Sequence, residues 1–221
     1  MSHREFKDRI YGQFARVGAA LASEKRLELL DLLAQAPRSV DALAKEAEMT
    51  TANASQHLQV LKSARLVESE RRATKVFYRL ASDGVLALWL ALRTVAENQL
   101  ADVTQIVREH SVGGDSAPLL SRGDLEAVMG SADVLVVDVR PSAEYEYGHL
   151  AGAVSIPIDT LPDAAPDLPR DARIVVYCRG RYCLFADEAL SILREAGFDA
   201  VRLDGGWPEW LKEGRPTVPE R

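Results

Sequence analysis

The stretch that most restricts the fold is Val175-Val176-Tyr177, a β-branched apolar run, followed directly by Cys178-Arg179-Gly180-Arg181-Tyr182-Cys183 and a helical run from Leu184 to Ala196. The first run reads as a buried strand, and Ala186, Ala189, Leu190, Leu193 and Ala196 recur at helical spacing. A cysteine therefore sits between strand end and helix start. Such a junction exposes several backbone N–H groups and the positive end of a helix dipole, and Arg179 and Arg181 add two cations. All three favour a thiolate, which marks Cys178 as the candidate reactive sulfur and Cys183 as a second thiol able to resolve what forms on it. The plainer alternative is that Cys178 is a small buried hydrophobe ending a strand. Direct joining of the two cysteines requires a Cα separation of about 4.4–6.8 Å.

A chain of 221 residues with 47% hydrophobic content can build two small cores. Its net charge of −6 is unevenly divided: residues 1–110 carry 16 Lys+Arg against 14 Asp+Glu (+2), whereas residues 111–221 carry 11 against 19 (−8). The halves are expected to meet different partners. No apolar run is long enough to span a bilayer and Met1-Ser2-His3-Arg4-Glu5 lacks an apolar signal core, so a cytoplasmic protein without membrane attachment is expected. In that reducing compartment a close cysteine pair reads as reactive or metal-binding rather than as a permanent staple. No cofactor and no resident metal are expected.

In the first half, Ile10, Phe14, Val17 and Leu21 share one helical face, and Leu27, Leu30 and Leu33 form a second run stopped by Pro37; both read as core helices. Ser39 is predicted to cap a short helix to Ala47, Glu48-Met49 to turn the chain, and Thr50 to cap a longer helix to Ala64. Val67–Ser69 and Val76–Leu80 alternate like the strands of a hairpin, with Arg71, Arg72 and Lys75 at the bend between them. From Ser82 a long helix is predicted, with Trp89, Leu92, Ala96, Leu100, Val103 and Val107 at three- and four-residue steps. A stripe of that length suits pairing with Phe6 to Val17 of a second copy.

Ser55-Gln56-His57-Leu58, Leu61, Ala64-Arg65-Leu66-Val67 and Tyr78-Arg79-Leu80 resemble the winged helix-turn-helix of bacterial ArsR-family repressors, over about residues 10–108. The resemblance implies a homodimer on palindromic double-stranded operator DNA. Thr51, Asn53, Ser55, Gln56 and His57 of the recognition helix would lie at base edges, and the wing cations Arg71, Arg72 and Lys75 on phosphates. His57 would serve equally well as a helix-packing residue. Family members usually place a glycine at the wing tip, where Ala73 stands here. Many bind metals through cysteines on the helix before the recognition helix, and Val40 to Ala47 contains none.

Ser111-Val112-Gly113-Gly114-Asp115-Ser116-Ala117-Pro118 reads as a linker between a domain of residues 1–110 and one of residues 119–221. The second opens with a predicted helix over Arg122–Met129 and a strand over Val134–Val137. Strands alternating with helices predict a parallel α/β sheet with the reactive loop at the carboxyl ends of its strands. Asp138-Val139-Arg140, Glu144-Tyr145, Gly148-His149-Leu150, Gly152-Ala153, Ser155-Ile156-Pro157, Cys178 and Gly205-Gly206-Trp207-Pro208-Glu209-Trp210 resemble a single rhodanese domain from about Leu119 to Pro216. The expected fold is thus a mainly α winged helix-turn-helix followed by an α/β rhodanese domain with a parallel sheet.

The rhodanese resemblance implies that a small sulfane-sulfur donor loads Cys178 as a persulfide held by the loop amides of Arg179 to Cys183, with Asp138, Arg140 and His149 as scaffold. The active rhodanese loop commonly reads Cys-Arg-x-Gly-x-Arg. Here Gly180 comes one position early and Cys183 takes the place of the last arginine, so thiosulfate sulfurtransferase activity is expected to be weak. The leading expectation is a DNA-binding repressor that senses reactive sulfur through Cys178 and Cys183, with Arg179 and Arg181 beside them. The alternatives are a sulfurtransferase acting through a Cys178 persulfide and a repressor responsive to trivalent arsenic or antimony.

Overall fold

The computed structural model describes residues 1–110 and 119–219; the linker expected at residues 111–118 lies outside the described residues. The chain divides into two compact units, Met1–Ala91 and Leu92–Arg221.

The first unit opens with α1 (His3–Leu21), closed at its start by a reciprocal cap in which Ser2 Oγ accepts from the Glu5 N–H and Glu5 Oε2 accepts from the Ser2 N–H. Then come α2 (Glu24–Gln35), β1 (Arg38–Ser39), α3 (Val40–Glu46) and α4 (Thr51–Ser63). The predicted caps form: Ser39 Oγ accepts from the Ala42 N–H and Thr50 Oγ1 from the Asn53 N–H, both at 3.2 Å. Strands β2 (Val67–Arg72) and β3 (Lys75–Leu80) pair antiparallel, and β1 adds a short third strand against β3. Leu29, Leu30, Leu33, Leu43, Leu58, Leu61 and Tyr78 fill the core between helices and hairpin, joined by Val85 from α5 (Asp83–Gln99).

Three expectations need correction. Helix α1 is not a core helix: only Ala20 is buried, Val17 and Leu21 merely pack against the core, and Phe6, Ile10 and Phe14 stay exposed. Within one chain only the last turns of α1 meet the core, through Val17, Ala20 and Leu21. Second, Arg71, Arg72 and Lys75 stand on paired strand ends rather than in the bend, because pairing continues to Arg72↔Lys75 and leaves only Ala73-Thr74 to turn. Ala73 adopts a left-handed φ of 53°, which explains the preference for glycine at that place. Third, the long helix from Ser82 is two helices. The chain breaks at Leu100, whose carbonyl accepts from the Val103 N–H, and α6 (Ala101–His110) starts afresh with Asp102 in its first turn.

The second unit, which begins with the last turns of α5, is built on five parallel strands. In chain order its elements are β4 (Leu119–Leu120), α7 (Arg122–Val128), β5 (Val134–Asp138), α8 (Ser142–Tyr147), β6 (His149–Leu150), β7 (Val154–Ser155) and α9 (Leu161–Ala164). They continue with β8 (Arg173–Tyr177), α10 (Leu184–Glu195), β9 (Ala200–Leu203), α11 (Trp207–Lys212) and β10 (Thr217–Val218). The sheet order is β4-β9-β8-β5-β7, with β6 and β10 forming a separate antiparallel pair. Strand β8 is central and buried on both faces, as an apolar run in a parallel sheet must be. Ile174, Val176 and then Cys178 face one core with Ala186, Ala189, Leu190 and Leu193 of α10. Val175 and Tyr177 face the other with Leu125, Leu150, Trp207 and Trp210. Among the described residues no helix is long and apolar enough to cross a membrane.

Candidate functional site

The loop Cys178–Cys183 leaves the carboxyl end of the central strand and enters α10, with Cys183 as the N-cap. Cys178 is buried at the edge of the α10-facing core. The two Cα atoms are 6.3 Å apart and the sulfurs are joined as a disulfide. The loop is held tightly from below. Cys178 O accepts from the Trp207 N–H at 3.2 Å, and a Cβ on Gly206 would meet Cys178 O at 2.3 Å and Gly180 N at 2.4 Å, so only glycine permits this approach of the two backbones. Gly180 itself has a φ of 143°, a conformation open to glycine. The Cys183 N–H is already engaged, donating to Gly180 O at 3.2 Å, and is thereby withdrawn from the set of amides expected to hold a sulfur anion.

The two loop arginines are placed differently from the expectation that both lend charge to the thiol. Arg179 turns to α8 and gives Glu144 a bidentate contact, Nε at 2.9 and 3.1 Å and Nη2 at 2.5 Å, with the Glu144 side chain 1% exposed. Arg181 donates to Asp204 Oδ1 at 3.0 Å and lies 3.5 Å from Glu97. Both cations thus face carboxylates that offset their field at Cys178; what remains to polarise the sulfur is chiefly the backbone.

Among the residues that hold the loop, sequence reading misses Tyr177, Glu144 and Arg202. Beneath the loop lies a fully buried triad: Asp138 accepts from Arg140 N–H and Nε at 3.0 Å, from Arg140 Nη2 at 2.6 Å and from the Tyr177 hydroxyl at 2.5 Å, while Arg140 Nη2 also reaches Gly148 O at 2.8 Å. Burial, reinforced by the Asp138 carboxylate, pushes the Tyr177 hydroxyl well above the ordinary tyrosine range, so it remains a donor. His149 stacks on Tyr145 with its Nδ1 2.9 Å from Tyr145 O, a scaffold position. Arg202 of β9 reaches Gly180 O, Arg181 O and Asp187. A signal for it exists in the sequence: a charged residue within Ala200-Val201-Arg202-Leu203 must find partners if the strand is buried.

Within the second unit, the end of α5 also meets this loop. Arg93 lies 3.1 Å from Glu209 Oε1 and its guanidinium sits 5.1 Å from the Tyr182 ring centre. Burial and a hydrogen bond to Glu97 raise the Tyr182 hydroxyl above its usual range. Glu97 therefore touches both Arg181 and Tyr182.

In the first unit, Asn53 and Gln56 of α4 are exposed, Ser55 and His57 are half-buried, and Thr51 Oγ1 donates weakly to Asp41 Oδ1 at 3.4 Å. The wing is less basic in effect than in composition: Arg72 Nη2 pairs with Glu70 at 2.9 Å and Arg79 with Glu68. Arg71 and Lys75 are exposed. Gln59, not among the expected contacts, donates to the Tyr78 hydroxyl at 3.1 Å and ties recognition helix to wing.

Comparison with known proteins agrees with this two-part construction. The family described as bacterial regulatory protein, arsR family, matches residues 23–69, and the rhodanese-like domain matches residues 121–213. The chain is 43% identical over 211 residues to the HTH-type transcriptional regulator Rv0324 of Mycobacterium tuberculosis, covering 96% of this chain and 92% of that one. A tRNA uridine(34) hydroxylase of Erwinia tasmaniensis is 29% identical over 136 residues, 58% of this chain but only 38% of that protein. Among solved structures, the homodimeric winged helix-turn-helix DNA-binding domain of Mycobacterium bovis Mb0332 is 43% identical, with a TM-score of 0.43, over 46% of this chain and 93% of that fragment. A rhodanese-related protein from Thermoplasma volcanium is 29% identical, with a TM-score of 0.41, over 45% of this chain and 96% of that one. With similarity to Rv0324 running through nearly the whole of both chains, across the helix-turn-helix and the two-cysteine domain alike, the chain belongs to the ArsR-family transcriptional regulators that carry a C-terminal rhodanese-like domain.

Proposed function

We propose that this regulator senses reactive sulfur: Cys178 accepts a sulfur atom and Cys183 converts the product into a disulfide that alters operator binding. The observation that carries this reading is the bridging of two cysteines five positions apart across the strand-to-helix loop, in a chain with no others. In the first step the Cys178 thiolate attacks the outer sulfur of a persulfide, RS–SH, forming Cys178–S–SH and releasing RS⁻. In the second, the Cys183 thiolate attacks the inner sulfur, closing the Cys178–Cys183 bond and expelling HS⁻. A thiol reductant reverses the outcome.

Residues 119–221 would form the sensor, and residues 1–110 the DNA-binding and dimerisation domain, pairing through the exposed Phe6, Ile10 and Phe14 face of α1. A two-fold dimer calls for a palindromic site. Thr51, Asn53, Ser55, Gln56 and His57 would read bases, and Arg71, Arg72 and Lys75 would bind phosphates. Closing the bridge constrains Arg181 and Tyr182, the residues in contact with Glu97 and Arg93 on α5, and this gives the sulfur state a physical handle on the helix. A switch requires a differential free energy between the two states, and about 1–3 kcal/mol would change operator affinity roughly 5- to 150-fold.

The test is DNA binding by fluorescence anisotropy, with intact mass recorded in parallel, on protein first reduced to the dithiol and freed of reductant, before and after treatment with a polysulfide. Wild type should lose two hydrogens in mass and change affinity, and a reductant should restore both. Cys178→Ser should do neither, and Cys183→Ser should gain sulfur without the full affinity change. Unchanged affinity in a wild-type sample shown by mass to be modified would overturn the reading.

A further inference from the structure

Arg202 is 7% exposed, and its guanidinium is engaged on both sides. Nη1 donates to Asp187 Oδ1 at 2.6 Å, in the first turn of α10. Nη2 donates to two successive loop carbonyls, Gly180 O at 3.0 Å and Arg181 O at 2.6 Å. In a planar trans peptide the C=O of one residue and the N–H of the next point in opposite directions. Carbonyls 180 and 181 are both drawn toward β9, so the N–H groups of Arg181 and Tyr182 are both turned the other way. Two successive N–H groups aimed to one side form a concavity for an anion.

We infer that Arg202 is the positioning residue of the sulfur loop: by gathering two carbonyls onto one guanidinium anchored by Asp187, it directs the Arg181 and Tyr182 amides toward the anionic sulfur of Cys178. The inference rests on the reading of Cys178 as the sulfur acceptor. It assigns the orienting of the anion-holding amides to a strand residue outside the loop, in a chain whose own loop arginines face carboxylates and whose sixth loop position is Cys183. Lysine cannot take this place, since a single ammonium lacks the planar fork that spans a carboxylate and two carbonyls.

The experiment uses the full chain carrying Cys183→Ser, which leaves Cys178 as its one thiol, and measures the rate of iodoacetamide alkylation against pH. Adding Arg202→Lys should move the profile to the alkaline side by about one pH unit, a tenfold change in the thiolate equilibrium. Adding Asp187→Asn, which leaves Arg202 present but weakens its anchor, should move it by less in the same direction. An unshifted profile in a folded Arg202→Lys protein overturns the inference, because charge without the fork would then suffice. Should circular dichroism show that the lysine variant does not fold, Asp187→Asn decides, and an unshifted profile there overturns it equally. Alkylation needs no sulfur donor, so this result is independent of whether polysulfide changes DNA binding.

Discussion

Arginine–carboxylate pairs occur in both functional regions, and the two sets behave as different devices. Around the sulfur loop three are buried, Arg140–Asp138 wholly and Arg179–Glu144 and Arg202–Asp187 nearly so, while Arg181–Asp204 is the half-exposed exception. On the wing, the Arg72–Glu70 and Arg79–Glu68 side chains are all more than half exposed. A buried pair gains its strength from geometry and from the cost of leaving either partner alone, whereas an exposed pair is screened by water and salt. The first fixes a backbone in one arrangement. On the proposed reading of the wing, the second keeps cations at hand that a phosphate can take over from a carboxylate.

The sharpest break of this contrast is Asp138→Ala, which strands a buried guanidinium and removes the Tyr177 hydroxyl's acceptor. It should destabilise the second unit by about 3–5 kcal/mol, read by urea denaturation. Next is Gly206→Ala, whose methyl would strike Cys178 O and Gly180 N; the loop must shift, at about 1–3 kcal/mol, and intact mass should show slower disulfide formation under polysulfide. The triad also sets an alkaline limit. Tyr177 has a raised value when folded and an ordinary one, about 10, when unfolded, so its contribution is complete below pH 10 and is lost as pH rises, by about 1.4 kcal/mol per pH unit. Denaturation curves of Tyr177→Phe should therefore fall less steeply than wild type above pH 10.

The wing variants should leave stability nearly untouched and act on DNA. Changing Arg71 and Arg72 together to Ala should weaken all duplexes alike and flatten the salt dependence by about 0.9 in log–log slope for each phosphate that no longer meets a cation. Glu70→Gln should do the reverse, releasing Arg72 and raising affinity by at most about fivefold, or 1 kcal/mol, in an anisotropy titration at low salt. A large stability loss from Glu70→Gln would erase the distinction between the two kinds of pair.

These contrasts also mark what could be read from the chain alone. Helical spacing placed α10, a β-branched apolar run placed β8, and the hydroxyls of Ser39 and Thr50 announced the starts of α3 and α4, because helix and strand signals lie within a few neighbouring residues. The cysteines and Gly206 were visible as a pattern. Their surroundings were not: Glu144 lies 35 positions from Arg179, and Gly180 lies 22 from Arg202, so the charge felt by the loop depends on elements that only the folded chain assembles. The same applies to α1, whose apolar face was plain while its exposure was decided by what lies opposite it.

The alternation along the central strand carries a consequence of parity. Ile174 and Val176 lead to Cys178 on the α10 side, while Val175 and Tyr177 belong to the tryptophan side. One residue inserted between Arg173 and Tyr177 would exchange the two sets, carry the cysteine toward Trp207 and take the Tyr177 hydroxyl away from Asp138. Two inserted residues would restore the sides. A change of length upstream of Cys178 therefore keeps the cysteine on the α10 side only when it adds an even number of residues.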